Sequence, residues 1–421
     1  MKVFAGFCAL AVALILPAMS QARTWHYTLL HNFCTQDDCA DGSFPTAGLV
    51  ADTKGNLFGV TETGGTHNDG IVFELERHRK TYTLKVLHDF CFSCGDGDFP
   101  FASLIADVNG NLYGTTLGGG AHDCGIVFRL SPGTKKLKVL HDFCTQEGDG
   151  NSLDQALSYA GKNSGMLYDG ASPLYGTTAE GGANAHGTVF SLTPSGRTWA
   201  LTTLYAFCAL SGCADGGTPS GEVLVDNAGN LFGNASLGGG GGSVYELSPA
   251  GSAPMTEKIV HSFCAPNDCP DGQEPTGALA MTPSGEIFGT TENALGSEGG
   301  AIFKLTSNGT GWDESLAHVF CSGKCDDGYL PSGGLIADSH GDIYGVDELG
   351  GAGEHGVGGG VAFRLRGNKL TPLYPFCSEE NCADGRVPMG TLTIDGRGDL
   401  FGVTSQGGPV TGAGTIFQLH P

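Results

Sequence analysis

The chain has 421 residues, 71 of them Gly, more than twice the ~7% of ordinary globular domains, yet with no Gly-X-Y period, which excludes collagen. An apolar content of 40% excludes a wholly disordered chain. Forty-four acids against 21 bases give a net charge of -23 and exclude a global electrostatic pull towards nucleic acid or anionic lipid.

The first element is a targeting segment. Lys2 is a short basic region, residues 3–16 are apolar, and Ser20-Gln21-Ala22 offers small residues for signal peptidase. Residues 1–22 are therefore expected to be a signal peptide cleaved after Ala22. The apolar run is shorter than the ~20 residues of a membrane span and meets Pro17. No second long apolar run follows, so the exported chain, secreted or periplasmic, is expected to have no transmembrane anchor. Fifteen Cys fit an oxidising destination.

Residues 23–421 repeat one phrase seven times. An apolar strand ends in Phe-Cys at Phe33, Phe90, Phe143, Phe207, Phe263, Phe320 and Phe376, spaced by 57, 53, 64, 56, 57 and 56 residues. An Asp-Gly follows each time, then an apolar strand, a turn, and a second strand with a central Gly, at Gly59, Gly114, Gly176, Gly233, Gly289, Gly345 and Gly402. In the first unit, strands are expected over 47–51, 57–61, 71–75 and 84–90, with no helix. Such a unit cannot bury both faces alone, but radial stacking can bury them, as in a β-propeller blade. The central Gly suggests close backbone approach near a crowded axis. A lone strand over 27–33 opens the mature chain, and three strands over 390–394, 400–404 and 415–419 end it. Together they make one blade and leave no free edge at the junction. The expected fold is all-β: one closed seven-bladed propeller of four-stranded blades. The third unit carries an insertion, 162–172, expected on a surface loop.

Fourteen Cys remain once Cys8 is set aside with the leader. Six pairs lie in the loops after Phe-Cys: Cys34/Cys39, Cys91/Cys94, Cys208/Cys213, Cys264/Cys269, Cys321/Cys325 and Cys377/Cys382. The third unit has Cys144 without a near partner, and Cys124 is spare. If Leu130 faces Lys138 in a hairpin, the same register sets Cys124 opposite Cys144, which suits a disulfide. Zinc is disfavoured because the pairs lie on different blades. Redox chemistry at Cys91-Phe92-Ser93-Cys94 is disfavoured because the motif sits between strands.

Chemistry would sit on the loop face. The Asp-Gly acids Asp41, Asp96, Asp149, Asp215, Asp271, Asp327 and Asp384 are the binding candidates, for calcium or a cationic ligand. Against this, Asp-Gly is also a turn that can form seven times for one backbone reason. Further candidates on that face are Asp37, Asp38, Asp98, Glu292, Asp347 and Glu354, with His67, His122, His186 and His355. A second Asp series, Asp52, Asp107, Asp226, Asp338 and Asp395, precedes a turn and is expected to cap it. His31, His88, His141, His261 and His318 share one strand position with Tyr205 and Tyr374, which suggests packing with a polar tip. No nucleophile elbow, zinc-protease helix or phosphate loop occurs.

Gly110-Asn111-Leu112-Tyr113-Gly114-Thr115-Thr116, with Gly119-Gly120 and Gly125-Ile126-Val127-Phe128-Arg129-Leu130, resembles the GloVer tandem repeat of the choice-of-anchor, GloVer-containing bacterial proteins. The resemblance spans 27–419. It implies an exported repeat protein of unassigned activity and brings no catalytic residues. Members often end in a surface-anchoring tail; residues up to Pro421 carry no such segment, so tethering to the cell surface is not expected. The expected role is that of a monomeric binding or scaffold protein, using its acidic loop face or central channel on an extracellular protein or glycan. No cofactor is expected, and calcium is the one candidate ion. The rival is an extracellular hydrolase or lyase acting on carbohydrate or lactone, with calcium as its ion. Propellers host both classes.

Overall fold

The computed structural model describes residues 25–79, 81–250, 253–264, 269–294, 299–351, 358–409 and 412–421. The expected leader 1–22, with Glu354 and His355, lies outside these. Seven antiparallel sheets form a seven-bladed propeller. Strands are named a to d from the axis outward. Blade 1 is Val50–Ala51, Leu57–Thr61, Ile71–His78 and Thr81–Asp89; blade 2 is Ile105–Ala106, Leu112–Thr115, Ile126–Ser131 and Lys136–Asp142. Blade 3 keeps three strands, Leu174–Thr178, Thr188–Ser195 and Thr198–Ala206, its strand a reduced to the bridges Asn151–Glu180 and Ser158–Tyr175. Blade 4 splits strand a into Gly217–Pro219 and Leu224–Val225, both on Leu231–Leu237, followed by Ser243–Ala250 and Ala253–Ser262. Blade 5 is Gln273–Met281, Ile287–Asn293, Ala301–Ser307 and Trp312–Val319; blade 6 is Ile336–Ala337, Ile343–Asp347, Val361–Arg366 and Lys369–Pro375. Blade 7 joins the chain ends: His26–Asn32 pairs with Thr415–His420, beside Leu400–Gln406 and Arg386–Ile394.

The burial pattern follows from stacking. Strand b of blade 1 is buried at all five positions, because a neighbouring blade covers each face. The outer strand d of the same blade alternates exposed and half-buried residues over most of its length. The apolar contacts therefore run between blades: Val72 and Phe90 share a cluster with Phe128 and Leu130 of blade 2.

The central Gly of strand b has a different cause from the one expected. It does not meet the axis. An aromatic ring of strand c in the same blade lies over it: a Cβ on Gly59 would sit 2.6 Å from Phe73 Cζ, and one on Gly289 2.3 Å from Phe303 Cζ. The axis is crowded instead by glycines of strand a. A Cβ on Gly277 would lie 2.8 Å from the Gly333 carbonyl oxygen, and one on Gly390 2.5 Å from the Gly48 nitrogen. These inner stretches pack against the next blade, and the ladder of blade 1 keeps only Val50–Ala51 of the expected 47–51.

Each c–d pair also carries a bulge that the repeat phrase does not announce. In blade 2, Leu130 pairs with Leu137, not Lys138, and Leu140 is the extra residue between Val139 and His141. The bulge shifts the register by one, so that Val127 pairs with His141 and Cys124 comes opposite Cys144. The equivalent extra residues elsewhere include Leu87, Leu204 and Leu373.

The insertion in the third unit is not a free surface loop. Tyr168 is fully buried and packs edge-on against Tyr113 of blade 2, with ring centroids 5.2 Å apart. Its backbone N–H donates to the Ala106 carbonyl at 3.1 Å. Lys162 reaches blade 4 and forms an ion pair with Glu222.

Gly289→Ala should therefore cost about 1–3 kcal/mol, the usual range for overpacking. Gly396→Ala, with nothing within 4 Å of its added Cβ and no positive φ, should leave stability unchanged. Urea unfolding of the two variants reads the difference, and equal midpoints would remove the aromatic lid as the reason for the Gly.

Candidate functional site

The seven Asp of the Asp-Gly ring are placed in one way. Each accepts from backbone N–H groups of its own loop, and all but Asp41 also accept from the polar tip of the preceding strand d. Asp271 takes His261 Nε2 at 2.8 Å and Cys264 N at 3.0 Å. Asp96 takes His88 and Cys91, Asp327 takes His318 and Cys321, and Asp149 takes His141 and Gln146. Tyr replaces His twice: Tyr205 donates to Asp215 and Tyr374 to Asp384, each at 2.8 Å. Asp41 accepts from Thr35 and Gln36, with His31 Nε2 at 3.6 Å. Asp41, Asp215 and Asp384 are wholly buried. These carboxylates hold the loops in place. The bulge is what aims the His or Tyr at the loop.

Disulfides close the same loops, at Cys34–Cys39, Cys91–Cys94, Cys208–Cys213, Cys264–Cys269, Cys321–Cys325 and Cys377–Cys382, while Cys124–Cys144 bridges strands c and d of blade 2. In five of the six small rings both Cys adopt positive φ, for example 59° and 53° at Cys377 and Cys382. A left-handed non-Gly residue costs about 1 kcal/mol or more, and closing so small a loop contributes about 2 kcal/mol in the chain-entropy model. The two nearly offset. The small rings set loop shape more than global stability, whereas Cys124–Cys144 closes a longer loop worth about 3 kcal/mol.

The remaining candidates scatter. Asp37 and Asp38 are exposed, as is His122, and His67 is about half exposed. Asp98 is buried, and its carboxyl is pushed up to about 6 by desolvation and by the nearby Asp123 and Asp69. Asp347 is fully buried, with neither carboxylate oxygen hydrogen-bonded among the described residues. Burial, then the charge of the neighbouring Asp327, raises its pKa well above the carboxylate range and favours the neutral acid. The second Asp series caps the a–b turns: Asp107 Oδ1 accepts from Asn109 N and Asn111 N at 2.8 Å, and Asp52, Asp226, Asp338 and Asp395 do the same. Among the described residues, one group of three possible metal ligands comes together, His186 with Cys208 and Cys213, and its two sulfurs are already joined to each other.

Two carboxylates escaped notice in the sequence. Glu257 and Glu314 occupy a strand-d position that carries Leu84, Leu137, Leu201 and Leu370 in four other blades. Each has one carboxylate oxygen buried and unpartnered. Desolvation, then the charge of Asp215 or Asp271 respectively, pushes each up to about 7. Acids at a Leu position of an internal repeat were the available signal.

Space for a ligand lies at the opposite end of the channel. A cavity of about 1700 Å³ opens where the a–b turns emerge. Strands a of the blades wall it, and the insertion of the third unit supplies Lys162, Asn163, Ser164 and Met166. Asn163 Nδ2 donates to the Val225 carbonyl at 3.1 Å, which ties the insertion across to blade 4. The lining also extends through all four strands of blade 6, to Tyr344, Arg364, Arg366 and Thr371, and to Trp25 beside blade 7.

A protein-family model described as the Gloeobacter/Verrucomicrobia repeat matches residues 20–172, 151–357 and 271–421. No curated protein matches the chain in sequence. Among solved structures, oligogalacturonate lyase from Vibrio parahaemolyticus is 11% identical with a TM-score of 0.53, over 94% of this chain and 97% of that one. A puromycin-hydrolyzing peptidase from Mycobacterium tuberculosis is 12% identical with a TM-score of 0.52, over 89% of this chain and 50% of that one. At these identities the likeness is one of fold.

A carboxyl whose folded pKa is raised contributes fully below the ordinary carboxylate range and loses that contribution as pH rises through its folded value, here about 7 for Glu314. Glu314→Leu should therefore raise the melting temperature, by more at pH 8.5 than at pH 5. The groups facing Glu314 are Asp271 and its partner His261, and both remain in the variant. A gain that is flat with pH would contradict the assignment.

Proposed function

The chain belongs to the Gloeobacter/Verrucomicrobia repeat family, and from that membership we propose that it is an exported, disulfide-stapled propeller that binds a ligand in the cavity at the a–b end of its channel. In a repeat protein the positions used seven times are architecture. Function belongs to the departures from the repeat. The Asp latches, the Phe–Gly packing and the turn caps are all repeated, and their polar groups are occupied. Besides the repeated strands a, the cavity is lined by residues that depart from the repeat, the inserted Lys162 to Met166 and Trp25 ahead of the closing strand, and by Arg364, whose place is held by Arg again only at Arg129. The other blades hold Glu74, Arg129, Ser191, Glu246, Lys304 and Gln418 at the place of Arg364. That one observation carries the proposal.

Seven disulfides fit an oxidising compartment. Among the described residues no helix is long and apolar enough to cross a membrane. Binding is favoured over catalysis because the carboxyls raised furthest, Glu257, Glu314, Asp98 and Asp347, are not among the residues lining the cavity, nor are Glu62, Glu74, Asp154 and Glu292, which are raised less. A general acid must reach the reacting atoms.

Ala337 lines the cavity from strand a of blade 6. Ala337→Trp should abolish binding on a glycan and peptide array while the melting temperature stays within a few degrees. An array hit that survives this substitution would move the site elsewhere. Separately, protein recovered from the periplasm or medium of a bacterial host should begin at Arg23, read by N-terminal sequencing. An unprocessed Met1 in the cytoplasm would overturn export.

A further inference from the structure

On the footing of that binding role, we infer that the cavity takes an acidic oligosaccharide, a short chain containing uronic acids, and that Arg364 receives one of its carboxylates.

Arg364 is the cation in the cavity without a carboxylate of its own. Lys162 is paired with Glu222. Arg366 makes a two-pronged contact with Asp342, its Nε at 2.8 and 2.9 Å from the two oxygens. Arg397 sits between Asp395 and Asp399, at 2.8 and 3.0 Å. Among the described residues Arg364 has no ion-pair partner, and its Nε, like that of Arg129 at the same place in blade 2, is buried without an acceptor; of the two, Arg364 is the one that lines the cavity. The guanidinium adjoins the Tyr344 hydroxyl, which donates to Asp338 Oδ2 at 3.3 Å, so the nearest acid is already engaged. A ligand in the cavity can meet the outer nitrogens of this guanidinium, and a planar carboxylate is the group that fits their fork.

The shape selects a saccharide over a peptide. Because the lining draws on strands a, b, c and d of blade 6, the cavity continues outward as a trench across the blade end, over about 14 Å at the usual strand spacing. It crosses the strand ends and does not run along a sheet edge, so a peptide finds no ladder to extend. A sugar chain needs no ladder. It needs an aromatic surface with side-chain donors and acceptors beside it. Trp25, set edge-on to Tyr344 with centroids 6.5 Å apart, supplies the first, and Arg364, Thr371 and Ser339 the second. The net charge of -23 repels polyanions at long range, which favours an oligomer of few acidic units over a long polymer.

The test is calorimetric titration of the mature protein with tetramers of mannuronate, galacturonate and glucuronate, with their methyl esters, and with hexaglutamate. At least one uronate should bind, its ester at least tenfold more weakly. Arg364→Gln should lose at least tenfold for the acid and nothing for the ester, with Arg364→Lys in between and all three proteins melting alike. Equal affinity for acid and ester would overturn the acidic class while leaving the cavity as the binding site. Binding of hexaglutamate alone would overturn the saccharide. Silence from every uronate would overturn the inference, and the separate Ala337→Trp array result would still judge the cavity.

Discussion

Each blade interface hangs on one aromatic contact. The Phe that ends strand d of one blade meets the strand-c aromatic of the next, and that ring lies over the strand-b Gly. Phe33 and Phe73 lie 5.4 Å apart, Phe90 and Phe128 5.4 Å, and Phe376 and Phe417 4.8 Å, all inclined ring to ring. Such pairs add roughly 0.5–1.5 kcal/mol each beyond the area they bury. More important is what they require. The ring needs a residue without Cβ beneath it, the Phe needs strand d to turn inwards at its end, and the bulge with the Asp latch provides that turn. The His or Tyr beside the Phe packs edge-on to it and carries its polar tip to the Asp, as His141 does to Phe143 and Asp149. Gly, bulge, latch and disulfide are thus parts of one joint, repeated round the ring.

The exceptions to the joint are acids. Glu257 and Glu314 stand where Leu packs elsewhere, and Asp347 stands where Thr61, Thr116, Thr178, Thr291 and Thr404 stand in other blades. In four of these the Thr hydroxyl donates to a carbonyl two residues on, as Thr116 does to Gly118 at 2.8 Å. A neutral carboxylic acid is the form of Asp347 that retains such a donor. The three acids lie in blades 4, 5 and 6, so the cost of raising pH falls on one side of the ring.

Most of the fold was legible because a repeat compares itself with itself. Seven copies exposed the Phe-Cys, the Asp-Gly and the strand-b Gly, and the two ends of the chain completed each other. The reason for the Gly was not legible, since a Gly under a ring and a Gly at an axis look alike in one dimension. The bulge was hidden too. A register counted from Leu130 and Lys138 is off by one at that pair and becomes correct only beyond the extra Leu140. The His series and the Asp series were both visible, but their hydrogen bond was not, because the loop between them varies in length: Asp follows the strand residue by eight positions at His88 and by ten at His261. The cavity had no sequence signal of its own. Its walls come from all around the ring, and only the insertion marked the place, by breaking the period.

The division between the two ends of the channel follows from this joint. At the end bearing the Asp-Gly loops, each loop is bound by a disulfide or a latch, and commonly by both, and it also docks on the Gly-rich b–c loop: Gly65 N donates to the Cys39 carbonyl at 3.0 Å and Gly408 N to that of Cys382 at 2.9 Å. The buried side chains there cannot change without disturbing an interface. At the other end five a–b turns are each held by a single Asp cap within their own five residues, as Asp226 holds Ala228 and Asn230, and that of blade 5 by Thr282. Residues can be added or exchanged there without touching a neighbouring blade's joint. The insertion lies at that end, and so do Trp25 and the unpaired Arg364. Where the architecture leaves side chains unassigned, a ligand can use them.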